Sequence, residues 1–266
     1  MSGSARVSGL LEGKVVVLSG VGPGLGRSLG ERVAAAGADL VLASRTERRL
    51  EKAATVVRQL GRRALVVPTD ITDEAACRNL LDATMAEFGR VDALINNAFA
   101  IPPLEPLTTL ELDSIRASHE TNVLAPLRLT TLFAPALEAS KGSVVMINSA
   151  VIHHSRVEFG GYKLAKAALL HMASSLATEL GPRGIRVNTV APGWIYENVQ
   201  KAYFDYLAGE RGVPSQEVYD EIASTTDLKR LPLPEEVVNA VIFLASDLAS
   251  AITGQCLDVN GGEFHN

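Results

Sequence analysis

The chain has 266 residues, 47% of them hydrophobic, and a formal net charge of -5 with both signs interspersed. That length suits one α/β domain around one large core, and the charge balance offers neither a basic stripe for nucleic acid nor a polybasic segment for an anionic membrane. No apolar run approaches the ~18 residues of a membrane span, the start Met1 to Gly13 lacks a secretion signal, and Cys77 and Cys256 stand far apart without ligand-spaced histidines.

These exclusions leave a cytoplasmic, metal-free protein acting on a small molecule as the expectation, with both cysteines reading as buried packing residues. Lys14 to Ser19 is a short valine-rich run bounded by glycines, the pattern of a strand buried on both faces. Gly24 to Ala36 has helical apolar spacing, Gly37 stops it, and Asp39 to Ser44 is a second apolar run. The alternation continues with a helix over Glu47 to Leu60, a strand Ala64 to Pro68, a helix Asp73 to Phe88 and a strand Val91 to Ile95. A proline-rich loop leads to a long helical stretch from about Thr109 to Leu137. A strand Ser143 to Asn148, a helix Gly161 to Leu180, a strand Ile185 to Val190 and a last strand near Cys256 to Val259 follow. Repeated strand, helix, strand units imply right-handed crossovers, so the expected fold is an α/β, doubly wound, seven-stranded parallel sheet with helices on both faces. One domain over 13–266 is expected, preceded by a flexible segment 1–12.

From Trp194 to Thr226 the alternation fails. Trp194, Tyr196, Tyr203, Phe204, Tyr206 and Tyr219 crowd into this stretch of a chain that is only 5% aromatic. Two readings remain open: a helical subdomain packing on itself, or an apolar lid over a substrate.

The first strand runs into Gly20, Gly22, Gly24, Leu25 and Gly26 at the start of a helix. Glycines let the backbone approach a pyrophosphate, and the helix N-terminus offers free N–H groups and partial positive charge, so a dinucleotide is the expected ligand.

The spacing Gly20, three residues, Gly24, one residue, Gly26 resembles that of the short-chain dehydrogenase/reductase family. The likeness extends through Asp70 and Ile71, Asn96-Asn97-Ala98, Asn122, Ser149, Tyr162 with Lys166, Pro192-Gly193 and the closing Gly261-Gly262. It implies an adenine contact at Asp70 with Ile71 beside it, a turn under the cofactor at Asn97 and Ala98, and further cofactor contacts at Pro192, Gly193 and Ile195. It also implies that Lys166 bridges the nicotinamide ribose and that Asn122 holds a relay water.

At the end of the second strand an acidic residue would favour NAD, but Ser44-Arg45 stands there, and a hydroxyl with a guanidinium suits a 2′-phosphate. NADP(H) is therefore favoured over NAD(H), against the plain alternative that Arg45, Arg48 and Arg49 are a solvated helix start.

Tyr162 and Lys166 are four apart on one helix face. A phenol of pKa about 10 is a poor proton exchanger at neutral pH, but a cation at roughly 4 Å interacts by about 4 kcal/mol at an effective dielectric of about 20. Lys166 is thus expected to draw Tyr162 into working range as the acid/base. Ser149, at a strand's C-terminal end, is expected to hold the substrate oxygen.

The family often has a glycine where Phe99 stands and a threonine where Glu197 stands. Glu197 beside a phosphate would be unfavourable, so either it points away or Asn198 supplies the polar contact. Pro23 removes one loop donor. His153 and His154 read as solvated or locally hydrogen-bonded rather than substrate-touching.

The expected reaction moves a hydride between nicotinamide and a carbonyl or secondary alcohol on a mainly apolar substrate such as a steroid, terpenoid or cyclic alcohol. The alternatives are a 3-oxoacyl-thioester reductase and a non-catalytic dinucleotide sensor. Enoyl reduction fits less well, because members with that chemistry usually place more residues between Tyr and Lys. Long apolar helix faces over 109–137 and 161–180 point to a homotetramer or homodimer, as the family commonly forms.

Overall fold

Valine and leucine fill the run Val15–Ser19 without a polar interruption, and every residue of it is buried, so it forms the central strand β1 of a sheet covered on both faces. The coordinates are a computed structural model, and residues 7–265 are described. Helix α1 (Leu25–Ala35) returns the chain to β2 (Asp39–Ser44), α2 (Glu47–Gln59) to β3 (Ala64–Pro68), and α3 (Glu74–Phe88) to β4 (Ala93–Asn96). Then come α4 (Leu112–His119), α5 (Ala125–Ser140), β5 (Ser143–Ile147), α6 (Gly160–Leu180) and β6 (Arg186–Pro192). Helices α7 (Asn198–Arg211), α8 (Ser215–Ser224) and α9 (Pro234–Ala245) precede β7 (Cys256–Val259).

All seven strands are parallel in the order β3-β2-β1-β4-β5-β6-β7. The expected doubly wound sheet is therefore present. The order reverses between β1 and β4, and the crevice beyond the carboxyl ends of those strands is where such sheets bind ligands. Two apolar layers sandwich the sheet. One joins Leu29, Val33, Leu50, Val237, Val241 and Ile242 to it, and the other joins Leu80, Leu129, Phe133, Leu169 and Leu176.

Several boundaries differ from expectation for identifiable reasons. The stretch expected as one helix over 109–137 is α4, a π-helical turn Glu120–Leu124 and α5, in which Ala125 N–H reaches back to Glu120 O. Apolar periodicity survives one inserted residue, so spacing could not expose the break. Helix α9 has no counterpart among the expected elements, although Pro234 at its first turn and Glu235 and Glu236 beside it are start signals. Its sequence is so continuously apolar that helical spacing is hidden, because it packs against the sheet and α1.

Residues 1–6 lie outside the described residues. The rest of the expected flexible segment is held: Leu11 is buried, its N–H bonds Ala36 O at 2.9 Å, and Arg62 pairs with Glu12 at 2.8 Å. Cys77 is buried as expected, whereas Cys256, on edge strand β7, is only partly so. Among the described residues no helix is long and apolar enough to cross a membrane.

Candidate active site

A cleft of about 860 Å³ opens along the carboxyl ends of the strands. Its floor begins at the glycine loop. Gly20 has φ +87°, and a Cβ there would strike the backbone of Ala98, while Asn97 Nδ2 donates to Gly20 O at 2.7 Å. The turn after β4 thereby clamps the turn after β1. Gly26 is equally tight, since a Cβ would stand 2.5 Å from Gly20 O. Leu25 opens α1 with no side-chain cap and no acidic residue in its first turn, so the helix's N–H groups and positive dipole end remain for an anion.

At one end of the cleft, Ser44 Oγ is buried without a partner, and Arg45 and Arg49 line the wall beside it. A buried hydroxyl with nothing to bond is costly, and a ribose hydroxyl or phosphate there would satisfy it. Asp70 accepts from Thr72 N–H at 3.0 Å and Thr72 Oγ at 2.7 Å, which hold its carboxyl below the usual carboxylate range. Ile71 lines the cleft next to it, its carbonyl already taken by Arg128 at 3.0 Å.

At the other end, Ser149, Tyr162 and Lys166 converge. Asn148 orients this end: its Oδ1 accepts from Ser149 N–H at 2.8 Å, and its Nδ2 donates to Lys166 O at 3.0 Å, tying the end of β5 to α6. The Tyr162 hydroxyl is hydrogen-bonded to Ser149.

The expected electrostatics differ here. Burial raises the Tyr162 pKa above its ordinary value, and the Ser149 bond offsets only part of that. Lys166 Nζ lies 5.7 Å from the Tyr162 ring centroid and donates instead to Ile147 O at 2.8 Å, while burial lowers its pKa to about 7. Desolvation outweighs the cation's pull because the ammonium is itself buried and turned toward a carbonyl.

Asn122 is fully buried in the π-helical turn, and its Nδ2 donates to Ala100 O at 2.7 Å and Ser118 O at 2.8 Å. Its side chain pins the loop after β4 to α4.

Pro192, Gly193 and Ile195 line the cleft, and Gly193 N–H bonds Val259 O at 3.1 Å. The sharpest departure is Glu197. Instead of pointing away, its carboxyl lies against Gly24, so that a Cβ on that glycine would strike it; Asn198 is exposed at the start of α7.

Several lining residues carried no usable sequence signal. Arg156, Phe159 and Glu263 border the cleft beside Trp194, and Arg156 sits 5.7 Å over the Trp194 ring and 3.5 Å from Glu263. His153 is engaged with Asp258 at 3.0 Å, whereas His154 reaches the cleft. Burial and Arg156 hold His154 toward its neutral form. The stretch 194–226 packs on itself and also borders the cleft. Phe204, Ala208, Val218, Ala223 and Leu231 form a separate small core with Trp194, Tyr196 and Tyr219 against it, while Trp194, Val199 and Gln200 roof the cleft.

A sheet reversing at β1 and β4, a glycine-lined anion cradle and a Ser–Tyr–Lys group at its far end define a dinucleotide-dependent type of α/β cleft. A family profile described as enoyl-(acyl carrier protein) reductase matches residues 20–263. The 7alpha-hydroxysteroid dehydrogenase of Escherichia coli K12 is 32% identical, the match covering 95% of this chain and 94% of that protein. The 3-oxoacyl-[acyl-carrier-protein] reductase FabG of Salmonella typhimurium is 34% identical, over 95% and 98%. A solved 7 alpha-hydroxysteroid dehydrogenase complexed with NADH and 7-oxo glycochenodeoxycholic acid superposes with a TM-score of 0.86 at 31% identity, over 98% of each chain. The chain belongs to the short-chain dehydrogenase/reductase family of oxidoreductases.

Proposed function

We propose that this protein reduces a ketone, or oxidises the corresponding secondary alcohol, on a mainly apolar substrate, with Tyr162 as acid/base, Ser149 holding the substrate oxygen and Lys166 beside them. The observation that carries this reading is the convergence of Ser149 and Tyr162, hydrogen-bonded to each other, at the end of a cleft whose other end is built for a dinucleotide. Exposed Phe99, Ile101 and Val199 on the cleft wall support an apolar substrate. When bound, a nicotinamide cofactor supplies or accepts the hydride. Because burial keeps Tyr162 protonated, its hydroxyl is ready to donate to a carbonyl oxygen, with Ser149 orienting that oxygen. Lys166, whose pKa burial lowers to about 7, stands beside Tyr162 with its Nζ on Ile147 O.

The cleft fits a dinucleotide by the tight Gly20 and Gly26 contacts and the orphan Ser44 hydroxyl, which with Arg45 supports NADP(H) over NAD(H). The likeness to FabG favours a second reading, a 3-oxoacyl-thioester reductase. Exposed Leu112, Leu124 and Leu164 on α4, the π turn and α6 support a homotetramer or homodimer.

The test is titration with NADPH and NADH, followed by a screen of apolar ketones, secondary alcohols and 3-oxoacyl thioesters. Removing a general acid costs about 10²–10⁴-fold, so Tyr162→Phe is expected to lower kcat by that factor. Turnover unaffected by Tyr162→Phe would overturn the assignment, and thioester turnover alone would select the second reading.

A further inference from the structure

Glu197 borders the cleft, and its carboxyl turns onto the glycine loop. Glu197 packs onto Gly24, whose φ of +77° and ψ of -131° already demand glycine, at the mouth of α1. Its Oε2 is buried and bonds nothing, and although the residue is the N-cap of α7 its side chain makes no capping bond. One turn on, Gln200 Oε1 is also buried without a partner and also borders the cleft. The Glu197 carboxyl, an unpartnered acceptor, therefore stands against the loop where phosphate oxygens, themselves acceptors, would sit. Acceptors opposed to an anion repel it, and a buried carboxylate without donors is costly in its own right. Burial raises the Glu197 pKa accordingly.

We propose that Glu197 is a tethered occupant of the phosphate cradle, which a nucleotide must expel, so that this residue sets nucleotide affinity and couples nucleotide arrival to the position of α7. The inference rests on the nucleotide reading of the cleft. The path of coupling is short. Glu197 N–H bonds Ile195 O at 2.9 Å, Lys201 N–H bonds Glu197 O at 2.9 Å, and Trp194, three residues earlier, is stacked on Tyr203 of α7 with ring centroids 6.1 Å apart. Moving the carboxyl out of the cradle moves this segment with it.

Trp194 is the only tryptophan, which gives a direct readout. Binding of NAD⁺ and NADP⁺, neither of which absorbs at tryptophan emission wavelengths, is measured by calorimetry and by Trp194 fluorescence for wild type, Glu197→Gln and Glu197→Ala. The expected result is a Trp194 emission change on binding to wild type and about tenfold tighter binding to Glu197→Ala, the scale of one displaced contact worth roughly 1.4 kcal/mol, with Glu197→Gln in between. Thermal unfolding should show both variants at least as stable as wild type, because the carboxyl's buried oxygen has no partner to lose. Equal affinities in all three proteins would overturn the proposal while leaving the nucleotide reading intact, and weaker binding by the variants would make Glu197 a holding group instead. Absence of binding by all three would overturn both.

Discussion

The floor and the roof of the cleft are built on different physical terms. On the floor the amides and the lysine are tied by hydrogen bonds to backbone groups: Asn97 to Gly20, Asn148 to both Ser149 and Lys166, Asn122 to Ala100 and Ser118, and Lys166 to Ile147, with the Ser44 hydroxyl left open. The roof, α7 and α8, rests on its own small core and leaves Val199, Tyr203 and Tyr206 exposed and two buried acceptors unpartnered. The floor spends fold stability on holding chemistry in place, whereas the roof is built on its own core and borders the cleft with apolar side chains. Substitutions on the floor should therefore be read out in stability and catalysis together, and those on the roof in binding alone.

Lys166 gives the largest expected effect. Holding its pKa at about 7 against 10.5 corresponds to roughly 5 kcal/mol against burying the charged form, part of it offset by the Ile147 bond. Between pH 7 and 10.5 the unfolded chain binds a proton there that the native protein does not, so wild-type stability from this group rises with pH across that window and is least below it. Lys166→Met should be more stable than wild type at pH 6 by up to a few kcal/mol, with the gap closing as pH rises past 10; denaturant unfolding at pH 6, 8 and 10 measures it. A gap that is flat in pH would mean that the ammonium is not desolvated.

Next is Asn122→Leu, which strips the donor from Ala100 O and Ser118 O. Leaving such groups unsatisfied costs about 1–3 kcal/mol, seen as a drop in Tm of roughly 2–4 °C per kcal/mol for a chain of this size. An unchanged Tm would show that the π-helical turn does not need its side chain.

The smallest effect is expected on the roof. Val199→Ala removes two methyl groups from the cleft wall, each worth about 0.8 kcal/mol when covered, so KM for an apolar substrate should rise by about 2–10-fold. Tm should stay within the scatter of surface substitutions, about 0.5 kcal/mol. A Tm loss comparable to that of Asn122→Leu would erase the distinction between floor and roof.

Most of the fold was legible because buried parallel strands write themselves as short valine-rich runs, and amphipathic helices as apolar spacing. The π-helical turn and α9 were not legible, one because an inserted residue leaves that spacing nearly intact, the other because burial removes the polar face that makes a helix visible. The candidate site divides the same way. Residue types at fixed offsets marked Gly20, Gly24, Gly26, Ser149, Tyr162 and Lys166, since phosphate approach and proton exchange each demand particular groups.

What the sequence by itself determined is the order of the seven strands and of most helices between them, and the identity of the groups gathered at the strand ends. Both depend on local pattern and on chemistry that few residues can supply. Only the tertiary structure decided that Lys166 turns to a carbonyl, that Tyr162 is held protonated, that Arg156 and Glu263 meet across the cleft and that Glu197 lies on Gly24. Each of these rests on desolvation and on contacts between segments far apart in the chain, which no local pattern encodes.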